Sequence, residues 1–298
     1  MSLALENELA DFLRGHEMPH SSFLAKEGDF VGEWRIAAFL GRGAMGEVFR
    51  AVRDRDGQIA ALKILARDDA IAKARFNREA IILKTHPHRA FPRFFDYSSG
   101  GDHPFLAIEL LDPFPLPDSD RDVASFMLDL CEGVGLLHSL GIVHRDIKPE
   151  NIMRRHDDPR PVLIDLGLVK VDEALTRSNL SMVDGRLVGL GTPGYSAPEQ
   201  FSGGKISPAA DIHALGSLID QCFCGKPPRQ WDRIVRGATS SLPAHRYATV
   251  AIFALAIRRR FFLRNLSIAL ISIIVILAAA CLLLALQVIP RLEGPLAF

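Results

Sequence analysis

Residues 142–153 read IVHRDIKPENIM and are the most informative stretch of the chain. They place Asp146, Lys148 and Asn151 within six residues, directly after an apolar pair. A carboxylate, an ammonium and an amide this close in the chain point to a ligand or a reaction, because a hydrophobic core has no use for them.

Composition excludes several classes of protein. With 298 residues and 48% hydrophobic content, the chain can bury a sizeable core in one large or two small domains. Lys plus Arg and Asp plus Glu both number 35, so the overall charge gives no indication of nucleic-acid binding. The four cysteines fit neither a disulfide framework nor a paired metal knuckle, which favours a reducing compartment.

The pattern of apolar residues predicts two lobes. From Trp34 the segments WRIAAFL, EVFRAVR and IAALKIL read as strands, and Asp56-Gly57 between the last two is a favoured hairpin turn. A helical segment is expected near residues 70–85, followed by two further short strands. Beyond the Pro-rich residues 111–120, long periodic segments predict a mainly helical second lobe, so the fold class is α+β.

A glycine pattern lies between the first two strands. Gly41, Gly43 and Gly46 form G-x-G-x-x-G, which lets backbone N–H groups approach phosphate oxygens, although the pattern alone also fits an ordinary glycine-rich hairpin. A strand follows the third glycine, which argues against dinucleotide binding, where a helix follows. Lys63 on the next strand could reach those phosphates, with Glu79 on the following helix as its partner.

The polar cluster matches the needs of phosphoryl transfer. A hydroxyl that attacks a γ-phosphoryl group needs a carboxylate to take its proton, a nearby cation and ligands for magnesium. Asp146, Lys148 and Asn151 match these roles in order, and Asp165 in VLIDLG, where Gly167 permits a sharp turn, offers a second metal ligand.

Together these motifs resemble the protein kinase family, specifically bacterial members of the eukaryotic-like serine/threonine type, over about residues 34–257. The resemblance implies a bilobal fold, with a sheet N-lobe at 34–111 and a helical C-lobe at 112–257, and ATP and Mg²⁺ as cofactors. It also implies that Asp146 is the catalytic base and that Lys148 marks serine/threonine specificity.

The resemblance further implies a set of site residues. Lys63 and Glu79 resemble the family's catalytic ion pair, and Asn151 and Asp165 its magnesium ligands. Residues implied to contact the nucleotide are Leu40, Gly41, Arg42, Gly43, Ala44, Met45, Gly46, Glu47, Val48, Ala61, Lys63, Glu109, Leu111 and Met153, with Ile108 behind the adenine. Supporting positions are Thr192 near the substrate hydroxyl, Glu199 paired with Arg246, and Asp211 as an anchor of the catalytic loop.

Two positions depart from the family pattern. Leu166 replaces the usual phenylalanine after the metal-binding aspartate, which bears on the balance of active and inactive states. The interval from Asp211 to Arg246 is short and leaves little room for the helix, conventionally αG, that docks many substrates. We therefore expect a C-lobe with a shortened αG region.

The resemblance also implies a route of regulation. Arg145 precedes the base directly, and in kinases with this arrangement a phosphate on the activation segment pairs with that arginine. Thr176, Ser178 and Ser181 are the expected acceptors.

A membrane helix is expected near the end of the sequence. Residues 265–290 contain no charge, and the segment is long enough to cross a bilayer, which takes roughly 20 residues of helix. The basic juxtamembrane segment 258–264 precedes them and a short tail, 291–298, follows, so the positive-inside bias puts the kinase domain in the cytoplasm. The extension 1–33 carries no identifiable chemistry.

The leading interpretation is a membrane-anchored protein kinase that phosphorylates Ser or Thr of membrane-associated proteins and of itself. The alternative is a membrane-tethered pseudokinase scaffold that binds nucleotide without efficient transfer. No nucleic-acid partner is expected, and association into a homodimer is left open.

Overall fold

A computed structural model describes residues 24–43, 45–67, 69–166, 180–183, 186–189, 192–202 and 206–292 of the protein. For residues 180–183, 186–189, 261–270 and 283–292 only the course of the backbone is described. Several predicted positions lie outside the described residues: extension residues 1–23, Ala44, Gly167, Thr176, Ser178, the side chain of Ser181 and tail residues 293–298.

The described residues fall into two compact units, which we treat separately. The first contains the chain up to Asp112 together with Arg155–Asp157, Asp165 and Leu166, and the second contains the remainder. A two-residue strand, β7 (Asp112–Pro113), lies where the chain passes from the first unit to the second.

The first unit is built on an antiparallel sheet of six strands. These are β1 (Phe30–Val31), β2 (Trp34–Arg42), β3 (Gly46–Arg53), β4 (Gln58–Leu65), β5 (Phe94–Ser98) and β6 (Phe105–Ile108), in the order β1-β2-β3-β4-β6-β5. The predicted turn joins β3 to β4, where Gly57 has φ 70°, a conformation that glycine adopts without strain. A buried cluster that includes Trp34, Phe49 and Leu62 covers one side of these strands.

The helix α1 (Ala70–Thr85) belongs to the first unit. It begins after Asp69, whose carboxylate accepts the Ala72 N–H at 2.8 Å and so caps the first turn. Its buried face carries Phe76, Leu83 and Glu79, and the carboxylate of Glu79 contacts Lys63.

The second unit is mainly helical in its described part. Its helices are α2 (Asp120–Ser139), α3 (Pro198–Phe201), α4 (Ala209–Cys222), α5 (Arg229–Ala238) and α6 (Val250–Leu292). Between α2 and α3 lie the hairpins β8 (Ile152–Arg154) with β9 (Pro161–Leu163), and β10 (Leu180–Val183) with β11 (Arg186–Gly189). The predicted α+β fold, with a sheet in one unit and helices in the other, is confirmed.

Beyond the end of α4, the short interval before Arg246 holds one α-helix, the ten-residue α5. The shortened αG region stays a prediction. Trp231 and Ala238 on α5 are fully buried, and a Cβ placed on Gly216 of α4 would lie only 2.6 Å from the Ala238 Cβ. Glycine at position 216 therefore lets α4 and α5 pack in close contact.

The helix α6 begins inside the second unit. Val250, Phe253 and Ile257 are buried, so its first turns belong to the core of that unit. No helix among the residues that the structure describes combines the length and the apolar character needed to cross a membrane.

Candidate active site

The glycine-rich turn joins β2 to β3. Gly43 N–H donates to the Gly46 carbonyl at 2.8 Å, and the Met45 carbonyl accepts the Ala66 N–H at 2.9 Å. A Cβ on Gly46 would lie 1.9 Å from the Ile64 carbonyl oxygen, so glycine is required there for close backbone approach. Of the other residues predicted in this turn, Leu40 is exposed and Val48 is half-buried.

Lys63, Glu79 and Asp165 form a cluster in the first unit, which we call the lysine triad. Lys63 Nζ lies 2.8 Å from Glu79 Oε2 and 3.2 Å from Asp165 Oδ1. Lys63 comes from β4 and Glu79 from α1, so the sheet and its helix bring together residues 16 positions apart. The predicted pair is present, and Asp165, separated from Lys63 by 102 positions, joins it.

Electrostatics keep Lys63 charged. Burial would lower the pKa of Lys63, but the carboxylates of Glu79 and Asp165 outweigh that effect and hold the pKa above its ordinary value. Burial raises the pKa of the Glu79 carboxyl, and the Lys63 ammonium opposes that rise. The triad thus presents a fixed ammonium beside the carboxylate of Asp165, whose side chain is 35% exposed.

Asp146, Lys148, Asn151 and Thr192 form a second cluster, in the second unit, which we call the base cluster. Asp146 Oδ1 accepts the Thr192 hydroxyl at 2.9 Å, and Asp146 Oδ2 lies 2.9 Å from Lys148 Nζ. Lys148 Nζ also donates to Thr192 Oγ1 at 3.1 Å. Asn151 Nδ2 donates to Asp146 Oδ2 at 2.9 Å and to the Asp146 carbonyl at 2.8 Å. One alcohol is therefore held between a carboxylate and an ammonium.

Asp211 holds the backbone directly before Asp146. It is fully buried on α4, and its carboxylate accepts hydrogen bonds from the His144 N–H at 2.8 Å and the Arg145 N–H at 2.7 Å. His138 Nε2 lies 2.9 Å from the same carboxylate. Arg145 has φ 73°, a strained conformation for a residue with a side chain. These hydrogen bonds hold the strained residue directly before Asp146, as the predicted anchoring role requires.

A second buried ion pair lies in the helical unit. Arg246 Nη1 and Nη2 donate to Glu199 Oε1 and Oε2 at 2.7 Å and 2.8 Å, a two-pronged arrangement. Next to Glu199, Gln200 Nε2 donates to the Arg145 carbonyl at 2.9 Å. Sequence analysis predicted the ion pair but not the role of Gln200, which ties α3 to the strained residue.

Glu109, one of the implied nucleotide contacts, has a partner that the sequence did not indicate. Arg155 donates to both carboxylate oxygens of Glu109, at 2.9 to 3.1 Å, and to the carbonyls of Arg89 and Phe91 at 2.7 Å and 3.0 Å. All four residues belong to the first unit. Arg155 belongs to none of the recognised motifs, so no signal in the sequence indicated its contact with Glu109.

The remaining predicted nucleotide contacts are divided between the two units. Ala61 on β4 is the strand partner of Ile108 on β6, and Leu111 follows in the same unit. Met153 is half-buried on β8, in the second unit.

Comparison with known proteins identifies the family. The protein kinase domain family matches residues 34–250, and the chain therefore belongs to that family. The relatives that it matches are bacterial serine/threonine-protein kinases, which agrees with the resemblance of its motifs.

Two relatives and one solved structure illustrate the match. The chain is 33% identical over 213 residues to serine/threonine-protein kinase pkn2 of Myxococcus xanthus, covering 66% of this chain and 25% of the relative. It is 29% identical over 231 residues to serine/threonine-protein kinase PknD of Mycobacterium tuberculosis, covering 72% of this chain and 33% of the relative. The chain thus spans a quarter to a third of the length of these two relatives.

The crystal structure of the PknI kinase domain of Mycobacterium tuberculosis has the same fold. It superposes with a TM-score of 0.60 at 22% identity, covering 79% of this chain and 99% of that domain.

Proposed function

We propose that the chain is a serine/threonine protein kinase that transfers the γ-phosphoryl group of ATP to Ser and Thr hydroxyls of proteins, including its own. The observation that carries the proposal is the Thr192 hydroxyl, which donates to Asp146 at 2.9 Å while it accepts from Lys148 at 3.1 Å. A substrate hydroxyl in the same position would have its proton directed at a carboxylate and its oxygen beside an ammonium.

The chemistry assigned to each residue follows from its group. As the substrate oxygen bonds to the γ-phosphorus and the bond to the departing ADP oxygen breaks, Asp146 accepts the hydroxyl proton. Lys148 stabilises negative charge that develops near the attacking oxygen. Lys63, held charged by Glu79, is assigned to the phosphates of the nucleotide.

The donor set fits magnesium. Asn151 donates its amide N–H to Asp146, so its amide oxygen is the atom that we assign to the metal, and Asp165 is assigned as a carboxylate ligand. Magnesium prefers oxygen ligands and is commonly bound by one or two carboxylates together with substrate phosphates. When bound, it neutralises the charge of the transferring phosphates.

The test of this function is acceptor analysis with the full-length chain. The protein is incubated with labelled ATP, Mg²⁺ and matched peptides that differ only in carrying Ser, Thr or Tyr. We expect transfer to Ser and Thr and to residues of the chain itself, with Thr176, Ser178 and Ser181 as the first candidates. Nucleotide binding without transfer to any acceptor would favour the pseudokinase scaffold instead.

We also propose that residues 265–290 anchor the chain in a membrane, with the kinase domain in the cytoplasm. Residues 265–290 carry no charge. Where their side chains are described, large apolar residues are exposed along α6, including Ile274 at 63% and Ile276 at 66%. Such a surface is costly in water, and Arg258 and Arg259 before it match the positive-inside bias. Membrane-associated proteins would then be the favoured substrates, through raised local concentration.

Carbonate extraction of membranes tests the anchor. Ile276→Arg combined with Leu277→Arg places two charges near the middle of the segment, at a cost of roughly 3 kcal/mol each, and should reduce membrane retention sharply. Ile252→Arg combined with Leu255→Arg is the matched control, because both residues are exposed on the first part of the same helix, at 48% and 47%. Equal retention of the two variants would contradict the proposal.

A further inference from the structure

Glu47 follows the third glycine of the glycine-rich turn, and its side chain is buried, with 3% exposed. Glu47 Oε1 accepts from Arg42 Nε at 2.9 Å, and Glu47 Oε2 accepts the Leu24 N–H at 2.9 Å. Arg42 and Glu47 are direct cross-strand partners at the ends of β2 and β3. One carboxylate thus joins both strands of the turn to a residue 23 positions earlier in the chain.

Glu47 acts from the side of the strand opposite Val48. Side chains alternate along a strand, so Glu47 and Phe49 share one face of β3 and Val48 lies on the other. Phe49 belongs to the buried cluster that also contains Ala25, and Leu24 packs against that cluster. The resemblance implied that both Glu47 and Val48 contact the nucleotide. With Val48 on the nucleotide side, the carboxylate of Glu47 lies on the opposite face of β3 and supports the turn from behind.

The segment that Glu47 contacts is itself fixed to the sheet. Gly28 N–H donates to the Ile36 carbonyl, and the Ile36 N–H donates to the Asp29 carbonyl, both at 2.9 Å. β1 then pairs with β2 through Phe30 and Val31. Residues 24–31 precede the part of the chain that the kinase family matches, yet Phe30 and Val31 form a strand of the same sheet and Gly28 and Asp29 are hydrogen-bonded to it.

We propose that Glu47 is a positioning residue for nucleotide binding, which holds the glycine-rich turn on the segment 24–31 and makes that segment part of the nucleotide-binding apparatus. A buried carboxylate is stable only when it is paired and hydrogen-bonded, and here Arg42 and the Leu24 N–H supply both. Loss of either partner would free the turn to leave the position in which its N–H groups meet phosphate. The inference rests on the proposed kinase function.

The first experiment measures the KM for ATP and kcat of the full-length chain for Glu47→Ala, Arg42→Gln and the double variant. We expect the KM for ATP to rise about tenfold in Glu47→Ala with kcat at saturating ATP within about twofold, and the double variant to be no worse than Glu47→Ala. Arg35→Gln is the matched control, because it breaks an Arg–Asp pair with Asp54 at the other end of the same hairpin. Its KM for ATP should not change.

A second pair of variants isolates the hydrogen bond. Leu24→Pro removes the N–H that Glu47 accepts, whereas Leu24→Ala keeps the N–H and removes only side-chain packing. Leu24→Pro should raise the KM for ATP most of the way toward the Glu47→Ala value, and Leu24→Ala should not. Thermal unfolding of each variant shows whether it is folded at the assay temperature.

The inference is overturned if Glu47→Ala leaves the KM for ATP within about twofold of the wild type, or if Arg35→Gln raises it equally. Equal effects of Leu24→Pro and Leu24→Ala would also overturn it. If the wild type transfers no phosphate, the proposed function fails, but Glu47 is still tested by the thermal shift that ATP produces. Equal shifts in the wild type and Glu47→Ala would then refute the role of Glu47.

Discussion

Arg260 Nη2 lies 3.1 Å from Asp120 Oδ2, which joins the first turn of α2 to the helix α6 across 140 positions of sequence. The Arg260 guanidinium also lies over the Trp231 ring, 4.5 Å from its centroid, and Trp231 Nε1 donates to Asp120 Oδ1 at 2.7 Å. Arg260 belongs to the basic segment 258–264 that the sequence predicts beside the membrane. Its side chain is only 10% exposed and packs within the second unit.

Arg260→Gln should therefore destabilise the protein. The variant loses the ion pair with Asp120 and the cation–π contact with Trp231, so we expect the free energy of unfolding to fall by about 1 to 3 kcal/mol. Arg259→Gln is the control, because Arg259 is exposed on the same helix, and it should change stability by less than about 0.5 kcal/mol. Urea unfolding of both variants measures the difference, and equal losses would show that Arg260 has no special role.

The Glu199–Arg246 ion pair should make the stability of the protein depend on pH. Burial would raise the pKa of Glu199, but its two hydrogen bonds from Arg246 outweigh burial and lower that pKa below the ordinary value of 4.5. Since the folded pKa lies below the unfolded one, the stabilisation is fully present above pH 4.5 and is lost as pH falls through the folded pKa.

Glu199→Gln should accordingly be less stable than the wild type at pH 7, and its stability should change less between pH 4.5 and lower values. Thermal unfolding over this pH range checks the expectation. Glu150→Gln serves as the control, since Glu150 is exposed, and it should keep the wild-type profile. An unchanged acid profile in Glu199→Gln would contradict this assignment.

The four thiols should differ in reactivity. Burial raises the pKa of Cys131 and of Cys222 to about 12, so neither forms a reactive thiolate at neutral pH. Cys224 is exposed, and Cys281 is exposed on the segment proposed to enter the membrane. In vesicles we expect one fast-reacting thiol, Cys224, whereas the denatured chain should show all four. Two fast thiols in intact vesicles would indicate that Cys281 stays in water.

The sequence predicted those parts of the site that depend on short motifs. Asp146, Lys148 and Asn151 lie within six residues, and their side chains contact one another through a hydrogen bond and an ion pair. The partnership of Lys63 with Glu79 was also predictable, because a strand followed by a packed helix brings those positions together. The family and the α+β fold follow from the same motifs.

Contacts between distant single residues could not be predicted. Arg155 meets Glu109 across 46 positions, and Glu47 meets the backbone of Leu24, without any spacing rule that would connect them. Arg260 is a further example, because its contact with the Trp231 ring joins two helices that no sequence motif connects. The close packing of α4 against α5 at Gly216 was not predictable either, because it is a property of two helices together.

We propose that Asp146 takes the proton of a substrate hydroxyl, and comparison of Asp146→Asn with Asp165→Asn tests this role. Phosphoryl transfer and Mg²⁺-dependent ATP affinity are measured side by side for the two variants and the wild type. Asp146→Asn should abolish transfer and leave ATP affinity nearly unchanged, because the amide keeps the shape but accepts no proton. Asp165→Asn should weaken Mg²⁺-dependent binding itself. Transfer by Asp146→Asn at a rate near that of the wild type, or equal loss of ATP affinity in both variants, would contradict the roles assigned to Asp146 and Asp165.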